Sequence, residues 1–184
     1  MYGFILSELK KYVTAKHGDP AWKSLMKEAG LGTKIYLATQ EYPDSEVITL
    51  VNTAAKLAGK PVPTLLEDFG QFMVPTMMST YRVAIKPQWR TMDLLEHVEE
   101  QIHQVVRRKN PNAKPPVLKC ARISPSEVVI TYGSHRKMCA VAKGIARGVA
   151  KHYRESIVIT ETSCMLKGGA NCTMSIKLMK GMTR

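Results

Sequence analysis

The chain has 184 residues, 45 % of them hydrophobic, and a formal net charge of +12, enough length for one domain with a sizeable core. No apolar run is long enough to span a bilayer, and Glu8, Lys10 and Lys11 interrupt the opening Met1–Leu6 stretch too soon for a secretory signal. The basic residues are scattered and only 7 % of residues are aromatic, so the charge reads as a solvated basic surface, not a nucleic-acid face.

The first half of the chain reads as helices. Met1 to about Lys16 is amphipathic through Ile5, Leu9 and Tyr12, and Pro20 opens a short helix to Glu28 that Gly30 ends. Asp44-Ser45 caps a segment through Val47, Leu50, Val51, Ala54 and Leu57, which Gly59 stops. Pro63-Thr64 opens another, carrying Leu65, Phe69, Phe72, Met73 and Met77 at helical spacing and a kink at Pro75. A longer helix is expected from about Arg90 to Lys109, with Arg107-Arg108-Lys109 placed where cations favour the helix dipole. Pro111, Pro115 and Pro116 then break the pattern. Strands follow near Val117–Ile123 and Val128–Thr131, a small-residue helix over Lys137–Tyr153, and strands at Ile157–Thr160 and Cys172–Leu178 around a Gly168-Gly169 loop. Helices first and an antiparallel sheet with one packed helix afterwards is an α+β order. Repeats, low-complexity stretches and linkers are absent, so residues 1–184 are expected to form a single domain.

Two features carry chemistry. Glu127-Val128-Val129-Ile130-Thr131 alternates as a strand, so Tyr132, Ser134 and Arg136 are expected to continue the apolar face of Val128 and Ile130. A guanidinium and two hydroxyls converging there make a carboxylate clamp. On the long helix, His103 lines up with Met92, Leu95 and Val106 at the edge of the apolar face, as either a satisfied core residue or a ligand. His97 points the other way, among Asp93, Glu100 and Gln104, and reads as solvated surface.

The opening Met-Tyr-Gly, the twelve-residue step from His103 to Pro115-Pro116, and Tyr132-x-Ser134-x-Arg136 together resemble the haem nitric oxide/oxygen binding (H-NOX) family. That family includes the haem domain of soluble guanylate cyclase and bacterial stand-alone sensors. The similarity covers the whole chain. It implies haem b buried between the helical part and the sheet, with His103 as the proximal iron ligand. Tyr132, Ser134 and Arg136 are then expected to hold the propionates, supplying the acid that the clamp needs, and Pro116 to press on the porphyrin and distort it. By alignment the distal pocket is Ile5, Leu9, Met73, Met77, Val141 and Ile145. Val141 stands where O₂-binding members carry a tyrosine. The resemblance therefore implies a sensor that takes NO and CO, excludes O₂, and signals by release of His103 and relaxation of the haem. The resemblance implies no enzyme activity. The implied partner is a separate histidine kinase or a cyclic-dinucleotide enzyme, in the cytoplasm, with no role for nucleic acid or membrane.

Four cysteines without a signal peptide argue for reduced thiols or a metal in the cytosol. Cys139, Cys164 and Cys172 fall where a subgroup of bacterial relatives holds zinc with four cysteines. Glu161 stands in the fourth position, three residues before Cys164. Either the three thiolates and Glu161 hold zinc, or the thiols are simply buried. His135 and His152 rank below Glu161 as ligands, and Cys120 has no evident partner. Two rival functions are a haem-free binding module for an acidic small molecule, anchored by Arg136, and a nucleic-acid-binding domain. The spacing of His103 to the Pro-Pro pair weighs against the first, because such a module needs neither.

Overall fold

A computed structural model describes residues 1–110 and 113–179; Pro111 and Lys180 lie outside them. The backbone divides into two compact units, Met1–Phe69 and Gly70–Arg184.

The first unit is helical. It contains α1 (Gly3–His17), α2 (Asp19–Glu28), α3 (Asp44–Ala58) and the first turns of α4 (Val62–Thr80). Pro20 lies in the first turn of α2, where its missing N–H costs nothing. Gly59 ends α3 in the left-handed region at φ 61°, a conformation that a side chain would penalise. The Met-Tyr-Gly opening has a steric reason. The Gly3 amide donates to the Gln40 carbonyl at 2.7 Å, and a Cβ on Gly3 would lie 2.0 Å from the Leu37 carbonyl oxygen. Leu6 and Leu9 of α1 are fully buried, as is Leu50 of α3. Tyr36 and Tyr42 meet edge to face at 4.8 Å between ring centres, and the Tyr36 hydroxyl donates to Glu46 at 2.9 Å.

The second unit holds the rest of α4, then α5 (Thr91–Val98), a π-helical segment over Glu99–His103, and α6 (Gln104–Lys109). The strands are β1 (Val117–Ser124), β2 (Glu127–Gly133), β3 (Ile157–Ser163) and β4 (Cys172–Leu178), with α7 (Cys139–His152) between β2 and β3. They form one antiparallel sheet in the order β1-β2-β4-β3. Period-two alternation buries Val128, Ile130 and Tyr132 of β2 and Cys172, Met174 and Ile176 of β4 on one face. They pack with Met92 and Leu95 of α5 and Ala146 and Ala150 of α7 in one core. The small residues of α7 let α4 approach closely. A Cβ on Gly148 would sit 2.5 Å from Val74 Cγ2, and one on Gly70 would sit 2.4 Å from the Val141 carbonyl oxygen. Among the described residues no helix is long and apolar enough to cross a membrane.

The expected α+β order stands. The long helix expected from about Arg90 to Lys109 runs from Thr91 to Lys109 with a π-helical turn inside it, because the Gln104 amide reaches back five residues to the Glu99 carbonyl. Hydrophobic spacing does not register a one-residue insertion of this kind.

Candidate functional site

His103 sits at the end of the π-helical segment, with its side chain 14 % exposed. Its Nδ1 lies 2.9 Å from Glu99 Oε2. A carboxylate can only accept, so Nδ1 carries the proton and Nε2 carries the lone pair, the tautomer that a metal requires. Burial pulls the imidazole pKa below its ordinary value, with Arg107 in the same sense; Glu99 and the Pro116 carbonyl oppose it. The neutral ring is therefore favoured.

Glu99 was not singled out by sequence. Its carboxylate also accepts the Leu118 amide at 3.1 Å and pairs with Arg107. An acid four residues before a helical histidine was the available signal. Two further bonds tie the same helix to β1: Arg122 pairs with Asp93 at 2.6 Å and with Glu96 at 3.0 Å. Cys120, between Leu118 and Arg122 on that side of β1, is a half-buried thiol pushed up to about 12 by burial and by Glu99, Glu96 and Glu100, so it stays protonated.

His97 keeps 36 % of its side chain exposed, as a surface residue does, yet its ring is packed on one face. Its ring stacks on Trp89 at 4.8 Å between centres and its Nδ1 is 2.8 Å from the Asp93 carbonyl. Trp89 precedes the helix, so the helix's own residues give no sign of this partner.

Tyr132, Ser134 and Arg136 are placed by a strand end and a turn, not by one continuous strand face. Tyr132 is buried on β2, opposite Leu118 on one side and Cys172 on the other. The strand ends at Gly133, so Ser134 and Arg136 do not continue its alternation. A turn follows instead, with the Lys137 amide donating to the Ser134 carbonyl at 3.1 Å and Lys137 at φ 51°. The Ser134 hydroxyl accepts the Arg136 amide at 3.2 Å. Burial raises the Tyr132 phenol, while the Ser134 hydroxyl and the Met138 backbone oppose the shift and Cys139 and Cys172 add to it. Arg136 Nη1 donates to the Lys114 carbonyl at 2.6 Å. Arg136 thus engages the segment that leads to the Pro-Pro pair.

Of the apolar positions, Val141 and Ile145 are one turn apart on α7, where Gly70 of α4 comes against their backbone. Met73, one turn along α4 from Gly70, is buried, and Met77 is half-buried. Leu9 is fully buried and Ile5 half-buried on α1, in the first unit.

Cys139, Cys164 and Cys172 converge as buried thiols, with all three sulfurs within 4.8 Å of one another. The Cys139–Cys164 and Cys164–Cys172 separations are 3.9 and 3.7 Å. Tetrahedral zinc with thiolates at about 2.3 Å requires sulfurs about 3.8 Å apart, so the trio fits that ion. Burial first, then the neighbouring sulfurs, pushes the Cys139 thiol up to about 12. Glu161 does not join them: its carboxylate pairs with Lys143 at 2.6 Å and Lys167 at 3.3 Å, and among the described residues the group contains only the three cysteines.

The sequence model of the Haem-NO-binding family matches residues 2–161. Two curated relatives are soluble guanylate cyclases of Caenorhabditis elegans. Gcy-35 is 26 % identical over 86 % of this chain, and gcy-31 is 20 % identical over 88 %. The chain spans about a quarter of their length, 24 % and 23 % respectively. Among solved structures, an H-NOX protein from S. oneidensis in the Fe(II)NO ligation state superposes with a TM-score of 0.91 at 24 % identity, covering 98 % of this chain and all of that one. An H-NOX protein from K. algicida, Fe(II) and unliganded, gives 0.86 at 18 % identity with both chains fully covered. At these identities the likeness shows the fold, while the match to 2–161 shows the kinship: this chain belongs to the Haem-NO-binding (H-NOX) family, a family of haem-based gas sensors.

Proposed function

We propose that residues 1–184 form one haem b domain that senses NO, also takes CO, and excludes O₂. The observation that carries this reading is the His103 ring, 14 % exposed, with its Nδ1–H given to the Glu99 carboxylate so that Nε2 is the donor nitrogen. When bound, haem supplies a ferrous iron with an open position for a diatomic gas. His103 is the protein's ligand to that iron. Tyr132, Ser134 and Arg136 would hold the propionates, and Pro116 would lie against the porphyrin. Ile5, Leu9, Met73, Met77, Val141 and Ile145 keep the gas side apolar. His103 would be the group whose release from the iron frees the helix that carries it to shift, an element biased between two states by a ligand. The domain reports this shift and performs no catalysis. A separate histidine kinase or cyclic-dinucleotide enzyme receives the signal in the cytoplasm, where the four free thiols remain reduced.

An anaerobic absorption spectrum of the reduced, haem-loaded protein tests this reading. It is expected to ignore air and to shift with CO and with NO. A shift in air overturns the exclusion of O₂, and absence of stoichiometric haem overturns the whole reading.

Zinc at Cys139, Cys164 and Cys172 is part of the same proposal, supported by sulfur separations that match a tetrahedral edge. Glu161 completes the set only by leaving Lys143 and Lys167. Purified protein is expected to carry about one zinc per chain, as one tetrahedral set of ligands binds one ion. Elemental analysis that finds a small fraction of that removes zinc and leaves three buried thiols.

A further inference from the structure

We infer that Glu99 is a positioning residue for the proximal histidine and couples it to the sheet. This rests on the reading of His103 as the iron ligand. Glu99 opens the π-helical segment that His103 closes, and its carboxylate is 18 % exposed. The carboxylate is fully engaged inside the chain. Oε2 accepts from His103 Nδ1 at 2.9 Å and from the Leu118 amide at 3.1 Å, while Oε1 pairs with Arg107.

Three consequences follow from that geometry. The charge of the acceptor makes Nε2 more electron-rich and so strengthens its bond to a metal. The bond also fixes the rotation of the ring. Leu118 lies on β1, two residues beyond Pro116, so one carboxylate joins the imidazole to the strand that follows the Pro-Pro segment. Arg107, one turn beyond His103, holds the other oxygen and keeps the carboxylate from swinging away with the ring. When His103 moves, its bond to Glu99 or the bond from Glu99 to Leu118 must give. Rotation of the ring is thereby transmitted to β1 through a single side chain.

The test uses the ferrous, haem-loaded protein and reads the iron–histidine stretching frequency by resonance Raman. In Glu99→Gln, which keeps the shape and one acceptor oxygen but not the charge, the band is expected to move to lower frequency. In Glu99→Ala it is expected to move further, with haem transfer to an acceptor protein about ten- to a hundredfold easier. Amide exchange at Leu118 should quicken in Glu99→Ala. A purely structural glutamate would leave the frequency of a folded Glu99→Gln protein where it is in the parent, and that result overturns this inference alone. Absence of an iron–histidine band in the parent, or its persistence in His103→Ala, overturns the assignment of His103 and this inference with it.

Discussion

Replacing His103 by alanine is expected to weaken haem retention by at least about tenfold and to abolish the response of the helix to NO. The magnitude follows from a bound on lesser changes. Loss of a residue that only orients a metal ligand costs about ten- to a hundredfold, and loss of the ligand itself costs no less. The structure also supplies the control. His103 is half-buried beside Glu99 and Arg107, so alanine there leaves the carboxylate paired with Arg107 and the Leu118 amide and strands no unpaired charge. The variant should therefore fold, which circular dichroism checks. Added imidazole is expected to restore the ferrous absorption spectrum without restoring the conformational response, because the replacement ligand is not attached to the helix. Haem bound as tightly as in the parent would show that the iron takes its protein ligand elsewhere.

Most of the fold was legible because its elements carry strong local signals. Pro20 in the first turn of α2, Gly59 past the end of α3 and the alternation of β4 each have one physical meaning, and the observed boundaries fall within a few residues of the expected ones. What stayed hidden depended on partners distant in sequence or on insertions that leave composition unchanged. The π-helical segment is invisible to a 3.6-residue period, and it places Ile102 in the core and leaves His103 half-buried at its edge. The partner of His97 lies in Trp89, ahead of the helix. Ser134 and Arg136 leave the face that their alternating spacing would continue, because the strand ends at Gly133 and a turn follows. The cysteine trio could be grouped by resemblance, yet only the register of β4 and the start of α7 bring its sulfurs to a metal's spacing. Charge pairing decided Glu161: two lysines hold it, and neither is a neighbour in sequence.

Val141→Tyr is expected to convert a protein that ignores air into one whose ferrous spectrum shifts in air. The argument is one of polarity. O₂ on ferrous iron acquires partial negative charge and is stabilised by a hydrogen-bond donor, whereas CO and NO depend on one far less. Val141 brings only methyl groups to its position on α7, and the neighbouring Ile145 brings no donor either. A buried hydrogen bond to a charged acceptor contributes about 1.5–3 kcal/mol, roughly ten- to a hundredfold in affinity. The phenol must also fit. Gly70 brings α4 against the Val141 carbonyl, so the backbone of α7 is closely packed at this position. Val141→Phe separates the two effects, because it adds the same bulk without the hydroxyl. The tyrosine variant is expected to gain O₂ affinity and the phenylalanine variant is not, with CO affinity changing alike in both. If both variants ignore air, polarity at position 141 does not govern the choice of gas. If both respond, the added ring has opened the site, and the apolar wall around Val141 excludes O₂ by shape and not by want of a donor.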